Sequence, residues 1–80
     1  NLSATYFSAV FSRELGHTFK EFLTETRMQR AKELLRTTSM MASEISYKIG
    51  YRDPHYFSFV FRKHTGLTPL DFRARAKRRT

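Results

Sequence analysis

The sequence has no cysteine and no tryptophan, only three glycines and two prolines, and seven acidic side chains against fifteen Lys and Arg. Without cysteine there are no disulfide staples, no thiolate chemistry and no Cys-based zinc site. No apolar run approaches the ~18 residues a membrane span requires, and no signal-peptide pattern opens the chain. No G-x-S-x-G, H-E-x-x-H, phosphate-cradling glycine loop or metal-ligand spacing is present. His17, His55 and His64 are scattered, and none has a carboxylate four residues away on the same helix. These absences predict a protein that is not an enzyme and needs neither cofactor nor metal. The scarcity of Gly and Pro beside 40% hydrophobic content favours a folded helical domain over a basic disordered tail. A chain of 80 residues is one small domain; burying about 60–65% of its extended surface, it leaves no room for a deep substrate pocket.

What the sequence does have is positive charge and aromatic residues. The formal charge is +8, which makes nucleic acid the leading partner on electrostatics alone. The charge is uneven: residues 1–38 carry six basic and four acidic side chains, residues 39–80 nine and three. The densest cluster is Arg73, Arg75, Lys77, Arg78 and Arg79, read at least as readily as a solvated, fraying terminus as it is as a DNA arm.

An internal repeat organises the chain. With a shift of fifty positions, Tyr6-Phe7-Ser8 falls on Tyr56-Phe57-Ser58 and Val10-Phe11 on Val60-Phe61. Gly16, Thr18 and Phe22 fall likewise on Gly66, Thr68 and Phe72. Two copies of one structural unit explain these matches economically.

Each copy carries helix-end signals. Asp53 is a good N-cap, Pro54 suits the first helical position, and Gly66 supplies a left-handed stop. Between them Phe57, Val60 and Phe61 form an apolar stripe at i, i+3, i+4. In the first copy Ser3 caps, Phe7, Val10 and Phe11 form the stripe, and Gly16 ends it. Thr18 to Glu21 is a capping box, opening a helix to about Arg36 with a core face of Phe19, Phe22, Leu23, Ala31, Leu34 and Leu35. Thr68-Pro69 opens a last helix through Phe72. Met28, Met40 and Met41 read as gap-fillers or exposed residues.

Ahead of the second copy, Ala42, Ile45 and Ile49 mark a short supporting helix, followed by a turn over Gly50–Arg52. A helix, a Gly-containing turn and a capped second helix make a helix-turn-helix. The predicted architecture is therefore all-α: tandem, homeodomain-like helix-turn-helix units joined by a long connecting helix. The expected divisions are the second half of a first unit over 1–17 (recognition helix about 4–15), the connecting helix over 18–38, a complete second unit over 39–66 (recognition helix about 53–65), and a C-terminal helix with basic tail over 67–80. The first unit's supporting helix would fall before Asn1, so that unit is expected to be incomplete and to weaken binding by this chain alone.

The outward faces of the two recognition helices hold the candidate contacts. On the second these are His55, Phe59 and Arg62 with Ser58 beside them; on the first, Thr5, Ala9 and Ser12 with Ser8 beside them. Thr5, Ser8, His55 and Ser58 can exchange hydrogen bonds with base edges near the helix N-termini, where such readers present their contacts. Arg13, Arg52, Arg62 and Lys63 suit phosphate oxygens. A connecting helix of eighteen residues spans about 27 Å, comparable with the ~34 Å between adjacent major-groove faces. Arg27 lies on that helix's apolar stripe and needs partners; Glu44 and the carbonyl ends of neighbouring helices are candidates.

From Arg27 to Phe72 the residues R-M-Q-R-A-K-E-L-L and the motif G-Y-x-D-P-x-Y-F-S-x-x-F-(R/K)-(K/R)-x-x-G-x-(T/S)-P resemble the C-terminal DNA-binding domain of AraC/XylS-type bacterial transcription regulators. The resemblance implies two helix-turn-helix subdomains on a long helix, double-stranded DNA as ligand and a cytoplasmic, nucleoid-associated location. It also implies a regulatory or sensor domain elsewhere in the full-length protein, contact with RNA polymerase, and a role for Pro54 beside the residues above. Family members often carry a basic residue at the place of Ala9 and commonly Arg at that of Phe59. Phe59 is left with two roles: touching a thymine methyl, or folding back on the Met40–Ile45 region. The competing function is a protein-interaction module docking on polymerase or a partner domain. A membrane-surface helix is disfavoured by the capped ends and the repeat.

Overall fold

The computed structural model describes residues 18–78. They form four helices: α1 (Phe19–Thr37), α2 (Ala42–Lys48), α3 (Pro54–Thr65) and α4 (Pro69–Arg78). The described residues include no strand. The all-α expectation holds, with α1 as the long connecting helix.

Local chemistry sets the helix bounds. At the start of α1 the Thr18 amide donates to Glu21 Oε1 at 2.8 Å and the Glu21 amide to Thr18 Oγ1 at 3.0 Å, each side chain satisfying an orphan amide of the first turn. α1 ends at Thr38, which turns extended; its hydroxyl donates to the Leu34 carbonyl at 2.6 Å. Its nineteen residues make a rod of about 28 Å. In α3, Asp53 Oδ1 accepts from the His55 amide at 2.9 Å, and Pro54 occupies the first turn. Gly66 closes α3 at φ 82°, its amide donating to the Arg62 carbonyl at 2.7 Å.

α4 extends well past Phe72, to Arg78, through residues that favour helix. Arg73, Arg75 and Lys77 are therefore helical rather than a frayed tail. Arg73 is also not a DNA arm: its Nε donates to the Leu35 carbonyl at 3.0 Å and its Nη2 to the Thr38 carbonyl at 3.1 Å. Its guanidinium closes the C-terminus of α1, where free carbonyls and the helix dipole favour a cation.

α1 packs against α2 and α4, α2 against α3, and α3 against α4. The core takes Met28, Ala31, Leu34 and Leu35 from α1 and Phe57, Val60 and Phe61 from α3, with Ile45 and Tyr51 between them. This corrects the expected face of α1. Met28 is fully buried, whereas Phe22 is 41% exposed and Phe19 and Leu23 are half-buried. The other described helices gather over Met28 to Leu35, and among the described residues the core cluster draws on that part of α1. Met40 packs partly on the core, and Met41 is exposed.

Candidate nucleic-acid interface

The second helix-turn-helix is built from α2, the Gly50–Arg52 turn and α3. The Met41 amide donates to Glu44 Oε1 at 2.8 Å at the start of α2, and Ile45 fixes its inner face at zero exposure. At the other end Gly50 takes φ 109°, and the Tyr51 amide donates to the Ser46 carbonyl at 2.9 Å. The chain then turns inward. The buried Tyr51 ring lies 5.7 Å from that of Phe57.

Arg27 reaches this turn from α1. Its guanidinium stands over the Tyr51 ring, 4.9 Å from the centroid, a cation–π contact. Glu44 is occupied in capping its own helix, so the expected Arg27–Glu44 pairing does not form among the described residues. The same guanidinium explains why Gly50 carries no side chain: a Cβ there would meet Arg27 Nη2 at 2.8 Å, whereas one at Gly66 would meet nothing within 4 Å.

Both glycines have positive φ, so alanine at either costs about 1–2 kcal/mol in backbone strain. Gly50→Ala must also displace Arg27 from Tyr51, losing a further 0.5–2 kcal/mol or so. In thermal melts Gly50→Ala is expected to be the more damaging. In an Arg27→Ala background its cost is expected to fall to that of Gly66→Ala. Equal Gly50→Ala costs in both backgrounds would show that the guanidinium contact carries no energy.

α3 divides sharply into two faces. Phe57 and Phe61 are completely buried and Val60 nearly so. At 3.6 residues per turn, Ser58, Arg62, His55 and Phe59 occupy an arc of roughly 100° on the other side. His55, Phe59, Arg62 and Lys63 are exposed, as is Arg52 in the lead-in turn; Ser58 and Pro54 are half-buried. Phe59 is 63% exposed, so it does not fold back as core. Among the described residues, no carboxylate pairs with Arg52, Arg62 or Lys63; the ion pair Arg30–Glu33 lies on α1. Asp53, the nearest acid in sequence, accepts from the His55 amide. The result is a helix face with two cations and a third in its lead-in turn, none paired with a carboxylate among the described residues, two polar side chains toward its N-terminus and an exposed aromatic.

Thr5, Ser8, Ala9, Ser12 and Arg13, with the recognition helix expected over about 4–15, lie outside the described residues. One exposed neighbour of the site escaped the sequence reading. Tyr56 is 52% exposed, with its ring 5.9 Å from Tyr51 and 6.4 Å from Phe59. The signal was available: Tyr56 matches Tyr6 in the repeat, although the apolar stripe does not require it. No group of three or more metal-ligating side chains occurs among the described residues, and none of their helices is long and apolar enough to cross a membrane.

A family profile described as a helix-turn-helix domain matches residues 1–75. Over 74 residues, 90% of this chain, the sequence is 39% identical to the uncharacterized transcriptional regulatory protein YesN of Bacillus subtilis, of which it spans 20%. The C-terminal domain of AraT, a response regulator from Geobacillus stearothermophilus, superposes with a TM-score of 0.83 at 40% identity, over 92% of this chain and 61% of that one. The DNA-binding domain of AdpA, in complex with a target DNA, superposes with a TM-score of 0.86 at 27% identity, over 98% and 70%. The helix-turn-helix built around α3, the G-Y-x-D-P-x-Y-F-S motif that shapes it and these likenesses have one reading: the chain belongs to the AraC-type family of helix-turn-helix DNA-binding domains of transcription regulators.

Proposed function

We propose that this chain binds double-stranded DNA sequence-specifically for a bacterial transcription regulator. In this reading α3 enters a major groove, and a second recognition helix within residues 4–15 enters the next. The observation that carries it is the outward face of α3 and its lead-in turn, where Arg52, Arg62 and Lys63 stand without acidic partners among the described residues, with His55, Ser58 and Phe59 on the same helix face. His55 and Ser58 exchange hydrogen bonds with base edges, Phe59 lies against a thymine methyl, and Pro54 lets the helix start approach the duplex closely. Arg52 and Lys63 hold phosphates, and Arg62 holds a phosphate or a guanine edge. Thr5, Ser8, Ala9, Ser12 and Arg13 take the matching places in the first unit. That AdpA's domain was solved on a target DNA supports the assignment.

The curated relatives are much longer than this chain, which spans 20% of one and 26% of another. A regulatory or sensor domain in the same polypeptide, contact with RNA polymerase and a place in the cytoplasm at the nucleoid complete the proposal.

Selection of bound duplexes from a random library tests it. The expected product is a site of two half-motifs about one helical turn apart, preferred by about 10³ or more in the intact domain. His55→Ala with Ser58→Ala should relax preference in one half-motif only, by about 1–3 kcal/mol. Equal affinity for every duplex would rule out sequence-specific reading.

A further inference from the structure

A second cationic surface lies away from the recognition face. Between the C-terminal half of α1 and α4 runs an open groove of about 470 Å³, lined by Lys32, Arg36, Leu67, Phe72, Arg75 and Ala76. Its composition is unusual for a basic surface. Three cations stand over three apolar side chains, and no carboxylate lines it. Lys32, Arg36 and Arg75 have no acidic partner among the described residues. Lys32 and Arg36 are one turn apart on α1, as Phe72 and Ala76 are on α4, so each wall follows a helix for at least one turn.

We infer that this groove docks an acidic amphipathic helix of a partner protein, its apolar residues on Phe72, Leu67 and Ala76 and its carboxylates on Lys32, Arg36 and Arg75. Helix-in-groove recognition needs an apolar floor at helical spacing with charge on the rim to set orientation, and both are present. A DNA backbone fits less well, because phosphate contacts use donors and give a half-buried apolar floor no role. The groove is also turned from the duplex. Phe72 meets α3 edge-on through Phe61, at 5.5 Å between ring centroids, and Phe61 lies about 200° around the helix from Phe59. A second copy of this chain would bring its own charge of +8 to a cationic surface. The docking site is thereby open while α3 lies on DNA, although its occupancy does not depend on which duplex α3 prefers.

The test titrates the chain, with and without a saturating duplex, against two labelled peptides of about four helical turns. One alternates Glu on one face with Leu and Phe on the other; the second is a scramble of the same composition. The patterned peptide is expected to bind at least about tenfold more tightly than the scramble, whether or not duplex is present. Arg36→Glu with Arg75→Glu should abolish that preference and leave the salt slope of duplex binding unchanged, since both lie off the recognition face. Arg36→Gln with Arg75→Gln, which removes charge without reversing it, serves if the first pair melts early. Equal binding of the scramble would overturn the proposal. So would a salt slope of duplex binding reduced by about two in the double variants, which would make the cations phosphate contacts. Stronger, equally charge-sensitive binding to phosphatidylglycerol vesicles would assign the surface to membrane and overturn it as well.

Discussion

Raising the salt from roughly 50 to 200 mM is expected to weaken duplex binding by about a thousandfold, if about six phosphates are neutralised. The described residues supply Arg52, Arg62 and Lys63 to that set, all exposed and none paired with a carboxylate. Each phosphate contact releases condensed counterions, which sets a slope of roughly −5 in log affinity against log salt. The same experiment separates positioning from reading. If Arg62 holds a phosphate, Arg62→Ala should weaken all duplexes alike and reduce the slope by about one. If it reads a guanine edge, the loss should fall on the preferred site alone. A slope near zero for the parent chain would contradict a binding surface built from these cations.

Phe61→Ala is expected to leave the second unit largely unfolded near room temperature. Phe61 has no exposed surface and joins α3 to α4, its ring lying 5.8 Å from Phe57 and 5.5 Å from Phe72. Truncating a buried Phe costs about 3–5 kcal/mol, comparable with the entire stability a core this small supplies. Two residues earlier the outcome reverses. Phe59 is 63% exposed, so Phe59→Ala should alter stability by about 0.5 kcal/mol or less, with its effect confined to duplex preference. Thermal melts of the two variants decide this. A Phe61→Ala protein melting within a few degrees of the parent would mean that α4 does not depend on that ring cluster.

The pair also shows how much of the site the sequence made legible. The stripe of Phe57, Val60 and Phe61 identifies the inner face of α3, and the outer face follows from helical periodicity. The bounds of α3 follow from Asp53, Pro54 and Gly66, because caps act over a few residues. Tyr56 was less legible: half-exposed beside Tyr51 and Phe59, it has neither a stripe position nor a charge to mark it. Ser46 was hidden altogether. It is fully buried on α2 with its hydroxyl unpaired among the described residues, and a serine on a short helix gives no sign of which way it faces.

By itself, then, the sequence determined the helices α1 to α3, the repeat, the family and the division of α3 into a packed face and a free one. Each rests on interactions within about one helical turn, or on residue pattern, and both are written along the chain. The tertiary structure alone decided where the long cationic side chains go. Arg27 lies over Tyr51 instead of beside Glu44, and Arg73 reaches carbonyls 38 and 35 residues away. It also decided that Met28 lies in the core formed by the described residues while Phe22 stays 41% exposed, and that α1 and α4 leave a cationic groove between them. A flexible arginine has similar local preferences in all these settings; which carbonyl, ring or solvent it meets depends on how helices distant in sequence come together.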